Sequence, residues 1–278
     1  MPADMDKHIV RRQYLAHNGE DLLSQVQKVI CLVTPHVFIS AGYHPSGEVL
    51  MVNSSRYDVQ AWAPKFIEYE FLNDPLFAAP EMVQAVFVAS SKNMLVPDEL
   101  FEDKEEASHW LKKIYHCEED DALFAEHFSS NKLHCCFAFE ASIVAVLSQY
   151  LSEIRIKPLT MVHFKDKVAD ALQCTIADTY AKATLHFNNK LVWHQTFEYE
   201  TAEDILYQLS AACQVHEIDI QDFLLSFTTT SIEDQPILKK LKHYFQKYKA
   251  TKSGIADIIA PDWAATVFLF QQLYGCAS

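Results

Sequence analysis

The sequence predicts an α/β protein built from two similar lobes. Two observations carry that reading. Short apolar runs with strand character alternate with amphipathic helical stretches. The order of those elements repeats at a shift of about 143 residues. Only five glycines occur in 278 residues, where ordinary usage is about 7%, which tells against a glycine-lined phosphate cradle.

The residues before Val29 read as a loose arm, with a short amphipathic piece at Asp21–Lys28. Three strands follow: Val29–Val33, Val37–Tyr43 after the Thr34-Pro35 break, and Val49–Ser54 after the turn His44-Pro45-Ser46-Gly47. Proline and glycine mark these boundaries. Helix Pro64–Leu72 carries proline in its first turn, where the missing N–H costs nothing. Strand Val83–Ser90 is apolar through its centre, as a strand buried on both faces would be. Met94–Phe101 runs into a helix at Asp103–Tyr115 with Ala107, Trp110, Leu111 and Ile114 as its stripe. Asp103, Glu105 and Glu106 in its first turn suit the helix dipole. Strands Ala122–His127 and Leu133–Phe139 are joined by the turn Ser129–Lys132. Helix Glu140–Leu151 buries Ile143, Val144, Leu147 and Leu151, and a short strand, Glu153–Lys157, leads to Pro158.

The second half repeats the opening. A strand from Leu172 precedes a run in which Ala181, Ala183, Leu185 and Phe187 alternate with Lys182, Thr184, His186 and Asn188, the pattern of a half-buried strand. Asn188-Asn189 makes a hairpin turn, because asparagine tolerates positive φ, and Leu191, Trp193 and Phe197 lie on the return strand. Thr201 with Asp204 forms a capping-box pattern opening a helix that buries Ile205, Leu206, Leu209 and Cys213. Strand Phe223–Phe227, helix Pro236–Lys247 and a last helix after Asp262, with Trp263, Val267, Phe270 and Tyr274 inward, complete the chain. The shift places Cys31 on Cys174, Pro35 on Asp178 and Val49 on Val192. The expected organisation is an arm at 1–28, a first lobe at 29–171 with an insert near 92–137, and a second lobe at 172–278.

The formal charge is −14, from 37 acidic and 23 basic residues. That balance argues against a nucleic-acid footprint, which needs a basic face. No stretch approaches the roughly 20 apolar residues of a membrane helix, and the N-terminus has no apolar core of a signal peptide. A cytoplasmic protein with no membrane insertion is expected. Its seven cysteines are odd in number and irregularly spaced, which suits reduced thiols packed as small core residues. No two glycines lie within four residues of each other. A Walker loop and a dinucleotide fingerprint are both absent.

A three-stranded meander followed by a helix, occurring twice, is the pattern of the actin-like fold: two ribonuclease-H-like lobes around a cleft. The segments MLVPDELF, the acidic helix after it and HFNNKLVWHQTFEYETAEDILYQL resemble an uncharacterised bacterial domain-of-unknown-function family. That family has an actin-like ATPase fold and is distantly akin to pilus-assembly and division ATPases. The resemblance covers about Val29 to Phe245, and FEYETAEDILYQL is its most specific part. It implies a fold and no chemistry.

The resemblance also locates a nucleotide site. Members of the wider actin-like superfamily that hydrolyse ATP hold phosphate in one hairpin per lobe, of the form D-x-G. The first matching stretch is LVTPHVF, with Pro35 at the acidic position and no glycine. The second is IADTYAKA, with Asp178 present and Tyr180 in place of glycine. The adenosine segment corresponds to SFTTTSIEDQP, again without glycine. The candidate nucleotide or cleft residues are therefore Asp178, Thr179, Thr228, Thr229 and Thr230. Against this stand plainer roles: a turn aspartate, and a solvated strand end.

No catalytic residue, metal ligand set or cofactor is assigned. His116-Cys117 and His134-Cys135-Cys136 are the densest histidine and cysteine groups. Adjacent strand residues point to opposite faces, so Cys135 and Cys136 do not ligate one ion together. Glu102–Lys113, with Cys117–Asp121, is a candidate partner surface or a solvated helix face. The expected function is a non-catalytic binding or assembly protein with degenerate phosphate loops, its partner an unknown protein or a second copy of the chain. The alternatives are a nucleotide-binding ATPase or phosphotransferase with an atypical cleft site, and a metal- or thiol-dependent activity.

Overall fold

A computed structural model describes residues 9–17, 21–57, 63–151, 153–164, 170–188, 190–219, 224–230, 235–244 and 262–277. The expected arm before Ile9, the turn residue Asn189, the strand start at Phe223, the Ser231–Asp234 part of the adenosine segment and the helix end at 245–247 lie outside them. The chain forms two compact units, Met1–Phe164 with Leu273–Ser278, and Lys165–Gln272.

The first unit runs through β1 (Ile9–Leu15), β2 (Lys28–Val33), β3 (Val37–Tyr43), β4 (Val49–Tyr57), α1 (Ala63–Asn73), β5 (Val83–Val88), β6 (Asn93–Pro97), α2 (Lys104–Ile114), β7 (Ala122–Phe128), β8 (Leu133–Phe139), α3 (Ala141–Tyr150) and β9 (Ile156–Pro158). Its main sheet has the order β1-β4-β3-β2-β5-β9. The pairs from β1 to β2 are antiparallel, and β5 and β9 add in parallel. β3 is buried along its whole length, and β2 is buried at every residue after Lys28. Strands without a polar face belong inside a sheet covered on both sides. α1 lies against this sheet through Phe66 on Tyr57 and Phe71 on Phe38, with ring centroids 4.5 and 5.9 Å apart. Tyr150 of α3 stacks on Phe71 at 5.3 Å. Gly47 takes φ +87 in the β3–β4 turn, where the expected His44–Gly47 turn falls.

Two expectations change here. The loose arm contains an ordered strand: β1 pairs with β4 from Ile9↔Tyr57 to Leu15↔Met51. Only Tyr14 of β1 is buried, so its sequence lacks a hydrophobic face. Backbone pairing with the β4 edge places it. The stretch before α2 holds a further strand, β6, which joins β8 and β7 in a separate three-stranded sheet of order β6-β8-β7. α2 packs on this small sheet, with Trp110 and Phe101 beside buried Val96 and Cys136. Leu111 is buried as expected, but Ile114 at the end of the stripe is 61% exposed.

The second unit contains β10 (Ala171–Ala177), β11 (Tyr180–Phe187), β12 (Lys190–Glu198), α4 (Ala202–Val215), β13 (Leu224–Thr229) and α5 (Gln235–Tyr244). α6 (Ala264–Ala277) begins in this unit, and its last residues are counted with the first. There Tyr274 packs on Tyr43 at 5.0 Å. The second sheet has the order β12-β11-β10-β13, with β13 parallel to β10 and the other pairs antiparallel. This repeats β4-β3-β2-β5. β2 and β10 begin 143 residues apart, and so do β3 and β11. Leu172, Cys174, Ile176, Ala183, Leu185 and Phe227 form one face, packed with Ile205 and Leu209 of α4 and Leu238 and Leu241 of α5.

The half-buried strand expected at Ala181–Asn188 is buried on both faces: Lys182, Thr184 and His186 are as enclosed as Ala181, Ala183 and Leu185. Alternation of polarity is present, but here polarity does not report exposure. All seven cysteines are free, and every one except Cys117 is buried.

Candidate functional site

The two stretches that the resemblance sets against phosphate hairpins form the β2–β3 turn and the β10–β11 turn. In the first, the backbone is used up by the turn itself. Thr34 N–H donates to Val37 O at 2.9 Å. Val37 N–H donates to Thr34 Oγ1 at 2.9 Å, and that hydroxyl donates back to Val37 O at 3.3 Å. Tyr57 closes the outside, its hydroxyl donating to Thr34 O at 3.2 Å and its N–H to His36 O at 2.9 Å. Proline has no N–H. Across Thr34–Val37, only His36 keeps an N–H to offer, whereas an anion cradle converges several.

In the second turn, Asp178 takes a left-handed φ of 61, which a short polar side chain tolerates. Tyr199 fixes both turn carbonyls: its hydroxyl donates to Asp178 O at 2.6 Å and its N–H to Thr179 O at 3.3 Å. Asp178 is indeed a turn aspartate, but it is buried, while Thr179 is exposed. Tyr180 opens β11 with a fully buried ring, and its hydroxyl has no hydrogen-bond partner among the described residues. Burial, and then the Asp178 carboxylate, push its phenol well above the ordinary value.

Strand register gathers the other candidates at the same edge. Thr175 sits beside Lys182 on one side and Thr228 on the other. Thr175 and Thr228 share a hydroxyl hydrogen bond of 2.7 Å. Thr230 N–H donates to Ile176 O at 2.9 Å, which places Thr230 beside the end of β10, next to the Asp178 turn. By two-residue alternation, Thr228 and Thr230 share a face with Thr175 and Lys182, while Thr229 points the other way. This is the strand C-terminal edge where α/β proteins place ligands. The solvated strand end considered for the three threonines is not what forms, since all three are buried.

The face so defined is polar and enclosed. It carries Thr175, Lys182, Thr184, His186 and Thr228, and Lys182 is 1% exposed. On neighbouring β12, His194 Nδ1 lies 3.1 Å from Thr184 Oγ1. Burial first, and Lys182 second, lower the His194 imidazole to about 3. Burial also lowers His186.

A third cluster is one that sequence reading missed. Asp98, His127 and His134 bring one ligand atom each within 4.8 Å of one another. His127 and His134 are directly opposed on β7 and β8, and Asp98 follows β6. Burial lowers His134, with His127 acting in the same direction and Asp98 against it. The signal was in the hairpin: with Ser129–Lys132 as the turn, pairing outward from Phe128↔Leu133 puts the two histidines opposite each other. The candidate partner stretch on α2 is capped by Asp103, which accepts Glu106 N–H at 2.8 Å. Near it, Asp121 is paired with Lys92 at 2.7 Å.

With this geometry in place, the chain can be set beside known proteins. A crystallised Bacteroides thetaiotaomicron VPI-5482 protein of unknown function with an actin-like ATPase fold superposes with a TM-score of 0.68 at 16% identity, covering 90% of this chain and 98% of that one. The PilM–PilN type IV pilus biogenesis complex gives a TM-score of 0.50 at 10% identity, covering 90% of this chain and 99% of the matched chain. At such identities the likeness establishes the fold alone, and the fold is actin-like. No curated protein matches the sequence. Residues 59–248, more than half of the chain, match the family described as protein of unknown function DUF3822. The chain belongs to that family.

Proposed function

We propose that this is a non-catalytic actin-like-fold protein, cytoplasmic, that works by binding or assembling with another protein. The observation that carries this reading is the closed β2–β3 turn. Its Thr34 and Val37 amides serve the turn and Pro35 has none, which leaves His36 alone with an N–H to offer where a phosphate grip converges several. Tyr180 supports it, placing a buried aromatic ring where the second hairpin would need glycine. The partner half of the reading draws on PilM, a fold relative found in complex with PilN. The location draws on the seven free cysteines.

One observation favours a second reading, nucleotide binding through an atypical site. Buried hydroxyls of Thr175, Thr228 and Thr230 converge near Asp178 at one sheet edge, and Thr230 Oγ1 has no hydrogen-bond partner among the described residues. A melting experiment separates the two. A ligand at a hundred times its Kd adds about 2.7 kcal/mol of stability, several degrees of Tm for a chain of this size. Millimolar ATP or ADP with Mg²⁺ is expected to leave Tm unchanged. A nucleotide-dependent rise of that size would replace the first reading with the second.

A further inference from the structure

We propose that Asp98, His127 and His134 form a binding site for a divalent late-transition-metal ion of the Zn²⁺ class. The three residues come from adjoining parts of one small sheet, and the backbone holds them there. His127 and His134 are cross-strand neighbours on β7 and β8. β6 pairs alongside β8 as far as Pro97↔Leu133. Asp98 N–H then donates to Lys132 O in the β7–β8 turn at 3.0 Å, which pins the carboxylate over the histidine pair. Sites carried on paired strands in this way are more precise than sites on loops.

One ligand atom from each residue lies within 4.8 Å of the other two. His127 Nε2 is 3.2 Å from Asp98 Oδ2, and His134 Nε2 is 3.4 Å from Asp98 Oδ1. A charge-assisted N–H···O bond closes to about 2.7–2.9 Å. Tetrahedral Zn²⁺, with bonds near 2.0–2.1 Å, would draw one atom of each residue to about 3.3–3.4 Å from the others, a small closure of the cluster as it stands. Asp98 Oδ1 is a buried atom with no hydrogen-bond partner among the described residues. Phe101 stacks on the His134 ring with centroids 3.6 Å apart and planes 2° from parallel, fixing its orientation. The His127 ring stacks on that of His134 with centroids 4.5 Å apart.

Two imidazoles and one carboxylate select zinc, copper, nickel or iron over magnesium and calcium, which prefer oxygen. Three protein ligands leave a fourth position, and the exposures point it outward: the side chains of His127, Asp98 and His134 are 47%, 35% and 19% exposed. Such a site is open to water or to a donor group on a partner. The inference stands apart from the nucleotide question, since its residues lie on the β7–β8 hairpin and directly after β6.

The test is a Zn²⁺ titration of the full chain, freed of metal by chelator and followed by competition with a chromogenic zinc indicator. Co²⁺ serves as a second probe, read by its visible ligand-field absorption. One equivalent is expected to bind, and Mg²⁺ and Ca²⁺ are expected not to compete. His127→Gln should weaken Zn²⁺ binding by roughly ten- to a hundredfold or more and abolish the Co²⁺ band, with the metal-free melting curve unchanged. Asp98→Asn is the second variant, should the first perturb folding. Cys117→Ser, a control at the most accessible thiol, should bind as the parent does. Absence of Zn²⁺ binding at tens of micromolar would overturn the proposal. So would equal binding by the parent and both ligand variants.

Discussion

Thr34 holds its turn with one hydroxyl. The oxygen accepts Val37 N–H and donates to Val37 O, and the residue is fully buried. Thr34→Val keeps the shape and removes the bond, leaving a buried N–H without its acceptor. That costs about 1–3 kcal/mol, to be read as a lower urea midpoint at unchanged m-value. A midpoint equal to the parent's would mean that the hydroxyl does not close the turn. In the corresponding turn of the second unit, Tyr180 stands where the same shift puts Val37, and its ring is fully buried. Pro35 and Tyr180 were both legible in the sequence, because each breaks a short pattern at a known offset. The closure by Thr34 was not, because it depends on a side chain folding back on its own turn.

Elements separate local signals from tertiary ones. The α4 capping box is present as the sequence indicates: Asp204 N–H donates to Thr201 Oγ1 at 3.3 Å, and the Asp204 carboxylate accepts Thr201 N–H at 2.8 Å. Thr201→Ala should lower stability by about 0.5–2 kcal/mol, with a typical cost near 1, measured by thermal or urea unfolding. β11 shows the opposite case. Its alternation was read correctly, but its polar side was assigned to solvent, and Lys182, Thr184 and His186 are enclosed. No local rule distinguishes a polar face that meets water from one that meets protein.

That enclosed face has a pH consequence. His194, lowered to about 3, stays neutral in the folded chain while its unfolded form takes up a proton near 6.5. Between those values the unfolded state binds more protons, so stability rises with pH. Acidification from about pH 6.5 toward 3 should destabilise the protein, by up to about 1.4 kcal/mol per pH unit for each such histidine. His186 adds in the same direction. Denaturant midpoints measured across that range should fall with pH, and His194→Gln should flatten part of the slope. A flat profile in the parent would contradict the burial of this face.

For the whole molecule, the repeat was the strongest legible feature. The 143-residue spacing of β2 with β10 and β3 with β11 follows from element order, which survives when identities are few. β1 escaped notice because an exposed edge strand with Arg11, Arg12 and Gln13 looks like a solvated arm. The metal-type cluster escaped because its members are far apart in sequence, and only hairpin register joins two of them. The fold is thus actin-like in its strand plan, and Thr34 holds the β2–β3 turn closed, the turn that the proposed reading takes for a lost phosphate grip. Calorimetric titration of MgATP into the full chain tests that claim most directly. The account predicts no saturable heat at millimolar nucleotide. A one-site isotherm with a micromolar Kd would contradict it.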